Sequence, residues 1–142
     1  MAYWLMKTEP DVFSYADLER LGLGCWDGVR NYAARNHLRS MQVGDHVLVY
    51  HSNLDKAAVG VARVVRSHYP DPTIDDPRWS AVDVAPVRRL VQPVTLAAIK
   101  AEVATGGVLR DLRMIKENRL SVSPVTDMQW SALLAMAATP WP

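Results

Sequence analysis

The sequence predicts an α+β fold: a small, mostly antiparallel β-barrel with helices packed around it. Three observations carry this prediction. Short runs rich in β-branched residues are interrupted irregularly by helical segments, without the steady strand–helix rhythm of a doubly wound parallel sheet. Helix starts are marked by capping pairs, Ser14 with Asp17 and Thr126 with Gln129. The chain has 142 residues, 49% of them hydrophobic and 22% charged, which is the size and balance of a single domain, 1–142, with its own core.

Taken in order, Tyr3 to Lys7 reads as a short strand. Ser14 then opens a helix through Leu18 and Leu21, closed by Gly22 and Gly24. Asn31 caps a second helix from Tyr32 to about Met41. Val43-Gly44-Asp45 turns into the apolar run His46–Tyr50, a strand. Ala58–Arg66 and Trp79–Arg89 are longer strands, with Pro86 marking an edge or a bulge in the second. Between them Tyr69–Pro77 holds three prolines and three aspartates, a composition that neither a helix nor a central strand accepts. Thr95 opens a helix through Leu96, Ile99 and Val103 that stops before Gly106-Gly107. Leu120-Ser121-Val122 is a short strand. Trp130, Leu133, Leu134 and Ala137 share one face of a last helix, and 139–142 is expected to be a loose tail.

The composition excludes several classes. It is too apolar for a disordered chain, and no uncharged apolar run approaches the roughly 18 residues of a membrane span. Lys7 and Glu9 interrupt any signal-like apolar stretch, so a cytoplasmic monomer is expected, nucleoid-associated if bacterial. The single cysteine, Cys25, makes neither an internal disulfide nor a zinc cluster. The four histidines lack metal-ligand spacing, and no cofactor motif is present. Sixteen basic residues against fifteen acidic ones argue against gripping long duplexes by charge alone. Yet twelve of the sixteen are Arg, the residue suited to bidentate contacts with phosphates or bases.

Candidate functional residues fall in four groups. Trp26-Asp27-Gly28-Val29-Arg30-Asn31-Tyr32 packs a stacking ring, a carboxylate, a guanidinium and an amide around a conformationally free glycine. A structural reading competes with this one: Trp26 in the core, Asp27-Gly28 a turn, Asn31 a cap. Tyr50-His51-Ser52-Asn53 ends an apolar strand with polar groups, as a ligand site or as a Ser/Asn turn. Arg35 and Arg39 lie one turn apart on the second helix, facing phosphates or solvent. Lys7-Thr8-Glu9 supplies a potential base, nucleophile and acid, or an ion pair at a strand end. Cys25 is read as a buried, inert thiol.

The order of these motifs resembles the EVE domain family. YWLMKTEP at the start, WDGVRNYAARNHL from Trp26 to Leu38, YHSN at Tyr50–Asn53, YPDPT at Tyr69–Thr73 and LSVSP at Leu120–Pro124 all have counterparts there. Thr8, Ala33 and His37 depart from the residues most usual in the family. The resemblance implies a PUA-like barrel and a non-catalytic reader of a modified nucleobase, a modified cytosine in DNA flipped into an aromatic-lined pocket. It also implies the residue roles. Trp26 would be the stacking platform, with Tyr32 or Tyr50 as a second wall. Asn31 and the backbone at Gly28 and Val29 would read base edges. His51, Ser52 and Asn53 would line the mouth, with Ser121 facing them. Arg30, Arg35 and Arg39 would meet phosphates, unless one of them pairs with a buried carboxylate. Two alternatives stay open: an RNA-binding module, and an amidohydrolase acting on a modified nucleoside through Lys7, Thr8 and Glu9. The second requires a Lys7 pKa displaced from its ordinary value.

Overall fold

The computed structural model describes residues 2–141. Six strands form one sheet: β1 (Tyr3–Thr8), β2 (Gly24–Trp26), β3 (His46–His51), β4 (Ala57–Pro70), β5 (Ser80–Thr95) and β6 (Val122–Val125). Their order is β2-β5-β4-β3-β1-β6. β1 and β3 run parallel and every other pair is antiparallel. The helices are α1 (Tyr15–Leu21), α2 (Tyr32–Ser40), α3 (Leu96–Ala104), α4 (Arg113–Lys116) and α5 (Asp127–Met136), with a 3-10 turn at Val108–Asp111.

The α+β class stands, but the barrel does not: the sheet is open. Closure would require its two edges, β2 and β6, to pair with each other. These are the shortest strands, at three and four residues. Pro124 in β6 also lacks the N–H that a further ladder would need. The sheet is covered on both faces instead. Alternation along β1 sends Trp4 and Met6 to one cluster with Tyr15 and Leu18 of α1 and Ala34 and Leu38 of α2. Leu5 points the other way, into a second cluster with Ile99 of α3, Met114 of α4 and Trp130 and Leu133 of α5. Two-sided burial explains why Val47, Leu48, Val49 and Tyr50 of β3 are all buried.

The capping pairs form as their spacing predicts. The Ser14 and Thr126 hydroxyls accept from the backbone N–H groups of Asp17 and Gln129, and those side chains return the bond. Beside Pro86 the β4–β5 register shifts, so this proline marks a bulge. Gly60 sits at another shift, and a Cβ there would lie 2.3 Å from the Tyr15 ring. Its bare backbone therefore admits the ring, whose hydroxyl donates to the Val61 carbonyl at 2.7 Å. Four expected boundaries move. β2 starts at Gly24, read as the second closing glycine of the first helix, and continues through Cys25 and Trp26, for which no strand was expected. β6 begins two residues later than Leu120, once the chain has passed its bond from Lys7 N–H to Ser121 O. The strand read as ending at Arg89 runs on to Thr95, and the one read as ending at Arg66 runs on to Pro70, so Tyr69 and Pro70, expected in the connecting loop, pair with Ala81 and Ser80 as the end of β4. At the C-terminal end, Thr139 Oγ1 accepts from Val91 N–H at 2.9 Å, and Trp141 packs edge-on against Trp130 and His46. Residues 139–141 thus have defined contacts where a loose tail was expected.

Candidate nucleic-acid interface

A cleft of about 410 Å³ opens where β1, β2 and the N-terminus of α2 converge. This lies within the roughly 300–1,000 Å³ of small-molecule sites. Its wall is apolar where Val12, Phe13, Trp26 and Val29 meet, and polar at Lys7, Thr8, Glu9, Asp27, Arg30, Asn31 and Ser121. Trp26 is only 7% exposed and belongs to the core, with Phe13 edge-on at 6.1 Å. It is core and cleft lining at once, so the two readings of its motif do not exclude each other.

One side chain sets the geometry of this motif. Asp71, just past β4, has a side chain with no exposure. Its Oδ2 accepts from Gly28 N–H at 2.8 Å and from Arg30 Nη1 at 2.9 Å. Its Oδ1 accepts from the backbone and the hydroxyl of Thr73. Burial by itself would raise this carboxyl's pKa. The hydrogen bonds from Arg30, Thr73 and Gly28 outweigh burial and hold it far below the usual carboxylate range. Arg30 is therefore the arginine that pairs with a buried carboxylate. Gly28 sits at φ 77°, a backbone region that glycine enters without steric cost. Its N–H is spent on Asp71, so that group is not available to read a base.

Asn31 has a divided role. Its Oδ1 accepts from Ala34 N–H at 3.0 Å and caps α2. Its Nδ2 has no protein partner among the described residues and belongs to the cleft lining. Lys7 Nζ donates to Asn118 O at 2.8 Å, and burial lowers its pKa. The Thr8 hydroxyl donates to Phe13 O at 2.7 Å, while Glu9 is exposed at the rim. Cys25, expected to be buried, is exposed and lines the cleft. Burial of its surroundings and the carboxylates of Asp27, Asp83 and Asp71 raise its pKa, against a hydrogen bond from Tyr69. These effects disfavour the thiolate, the reactive form of the side chain.

The remaining candidates lie elsewhere. Tyr50 is buried in the cluster on the opposite face of the sheet. His51 is 7% exposed; its Nε2 accepts from Tyr15 N–H at 3.0 Å and its Nδ1 lies 2.7 Å from Asp55 Oδ2. The first contact requires a bare Nε2, so the proton sits on Nδ1 and points at Asp55. Ser52 N–H donates to Thr8 O, and Asn53 takes a left-handed turn conformation at φ 67°. This segment ties β3 to α1 and β1, and none of its four residues lines the cleft.

Outside the cleft mouth, Tyr32 stacks on Trp79 at 5.0 Å, and Arg35 lies 5.0 Å over the Tyr32 ring. Arg35 Nη1 donates to Arg78 O, and Arg39 donates to Ser80 Oγ, Pro77 O and Arg78 O. These partners are neutral, so the two guanidinium charges are held in place without being cancelled. Four contributors escaped the sequence reading: Asp71, Phe13, Trp79 and Arg78. Asp71 carried a signal, since a lone aspartate between two prolines in a loop is well placed to organise a turn. Its partner more than forty residues away had none.

The described residues hold no group of three or more side chains fit to bind a metal. No described helix is long and apolar enough to cross a membrane. The EVE domain model matches residues 2–136. Mouse thymocyte nuclear protein 1 is 38% identical, over 96% of this chain and 74% of that protein. The crystal structure of protein Atu2648 from Agrobacterium tumefaciens has a TM-score of 0.94 at 36% identity, covering 100% of this chain and 97% of that one. Human THYN1 protein, solved in complex with 5-methylcytosine-containing DNA, has a TM-score of 0.91 at 35% identity and covers 99% of this chain and 100% of that one. A family match over nearly the whole length, with the fold shared from end to end, makes this chain a member of the EVE domain family.

Proposed function

We propose that this protein is a non-catalytic reader of modified DNA that takes a modified cytosine, flipped from its stack, into the Trp26 cleft. The observation that carries this reading is the end-to-end likeness to a protein solved with 5-methylcytosine-containing DNA. The cleft supports it chemically. Flipping costs a few kcal/mol, and contact with an aromatic wall returns about 1–3 kcal/mol. Phe13 and the exposed part of Trp26 supply that wall. The Nδ2 group of Asn31 and the Ser121 hydroxyl supply polar contacts for the base edge. Arg35 and Arg39, held on α2 by neutral partners at Pro77, Arg78 and Ser80, supply phosphate contacts outside the cleft lining. Tyr32 on Trp79 serves a neighbouring base.

The test is a tryptophan-fluorescence titration with short DNA and RNA oligonucleotides carrying plain, methylated or hydroxymethylated cytosine. Phe13→Leu is the control, because Trp26→Ala would remove core packing worth about 3–5 kcal/mol. Methylation-dependent quenching in DNA, weakened in the variant, supports the reading. Equal binding of RNA points instead to an RNA module. A second reading rests on one observation, the lowered Lys7 pKa: a desolvated amine in a cleft suits hydrolysis of an acylated nucleoside. Release of acid from an N-acylated cytidine, lost in Lys7→Met, would establish that activity; no release would leave the reader.

A further inference from the structure

We propose that Asp27 is the residue that selects the base, its carboxylate accepting a hydrogen bond from the exocyclic amino group of cytosine. This rests on the reading of the cleft as a base pocket and names the chemistry it recognises. Asp27 lines the cleft directly beside Trp26, and its carboxylate has neither a hydrogen bond nor an ion pair among the described residues. Arg30 is engaged on Asp71, and the Lys7 ammonium, which shares the cleft, is directed to the neutral Asn118 O and forms no ion pair with Asp27. Its backbone is also held, with its N–H on Cys25 O at 3.2 Å and the next peptide pinned by Asp71.

A carboxylate without a direct ion-pair partner is adverse in a nucleic-acid site. It repels phosphates over a screening length of about 8 Å at physiological salt, comparable with the cleft itself. A ligand offsets that repulsion only by presenting a donor. Carboxylates take the N4 amino group of cytosine in base recognition. The other uncommitted groups of the cleft complete the pattern. Asn31 Nδ2 and the Ser121 hydroxyl are donors, facing the ring nitrogen and carbonyl that accept on the same edge of cytosine. Thymine keeps the 5-methyl group but carries a carbonyl at position 4, which sets oxygen against oxygen at Asp27. Methylation at carbon 5 leaves the amino group intact, so modified cytosine satisfies the same contact.

The experiment compares wild type with Asp27→Asn on DNA oligonucleotides of one sequence carrying 5-methylcytosine, cytosine or thymine at the central position. Wild type is expected to bind 5-methylcytosine roughly tenfold to hundredfold more tightly than thymine. In Asp27→Asn that gap narrows, because an amide donates to the thymine carbonyl as readily as it accepts from an amino group, while the protonated ring nitrogen of thymine still opposes the donors at Asn31 and Ser121. Asp27 makes no side-chain bond among the described residues, so the variant should fold; a thermal melt checks this. If Asp27→Asn instead tightens binding to all three oligonucleotides equally, the carboxylate is a rim charge only and the proposal is overturned. Equal wild-type affinity for 5-methylcytosine and thymine overturns it too. A wild type that ignores methylation yet rejects thymine would sink the modified-base reading and keep this one; no binding at all would sink both.

Discussion

Two segments of this chain look alike in sequence and end with different work. Trp26–Tyr32 and Tyr50–Asn53 each begin in the last residues of a strand and each combine an aromatic residue with polar side chains. In the second, the His51 ring spends both nitrogens, on Tyr15 N–H and on Asp55, while Ser52 bonds Thr8 O and Tyr50 turns into the core. In the first, Asp71 takes over the backbone holding of Gly28 and Arg30. That leaves the Asp27 carboxylate and the Asn31 Nδ2 group without partners among the described residues, in an open cleft. The comparison teaches that polar residues at a strand end form a site when something outside the segment satisfies its backbone. Without that help the side chains do the satisfying themselves.

The largest effect expected from breaking this contrast is at Asp71. Asp71→Asn removes the charge that holds Arg30 and weakens the bonds to Gly28 and Thr73. With Arg30 partly exposed and screened, the expected loss is about 2–3 kcal/mol of stability, measured by urea unfolding, together with loss of oligonucleotide binding. The pH dependence has a definite sign. A carboxyl whose folded pKa is depressed contributes fully above its unfolded pKa, about 3.9, and loses that contribution as pH falls toward the folded value. The wild-type advantage over Asp71→Asn should therefore be constant above about pH 5 and shrink steadily below pH 4. An advantage unchanged down to pH 2.5 would refute the latch.

His51→Ala tests the other segment. Losing the acceptor for Tyr15 N–H and the contact with Asp55 should cost about 1–2 kcal/mol in stability, with oligonucleotide affinity unchanged in the folded protein. A binding defect without a stability defect would return this segment to the site. The smallest stability effect is expected from Asn31→Asp, which sharpens the comparison most. Aspartate caps a helix as well as asparagine does, so stability should move by less than about 0.5 kcal/mol. The variant presents no amide donor to the cleft, so binding should fall by roughly tenfold. Unchanged binding in the variant would mean that Asn31 serves the helix alone.

Much of this was legible in the sequence because it is local. Ser14 with Asp17, Thr126 with Gln129 and the Asn31 cap are decided within four residues, by the reach of a short side chain to a backbone N–H. The alternation of Trp4, Leu5 and Met6 and the unbroken apolar run of β3 likewise specify strands with buried faces. Family membership was legible through the order of motifs along the chain.

What only the tertiary structure decided was which polar groups remain free. The bonds from Gly28 and Arg30 to Asp71 span more than forty residues, and no periodicity or capping rule encodes a contact at that separation. The same holds for the sheet. Strand identity follows from residue pattern, but closure depends on whether β2 and β6 pair, and they remain opposite edges of an open sheet. A hydrogen bond made near at hand is written in the sequence. A hydrogen bond left unmade, which is what a binding cleft requires, exists only once every competing partner has been placed.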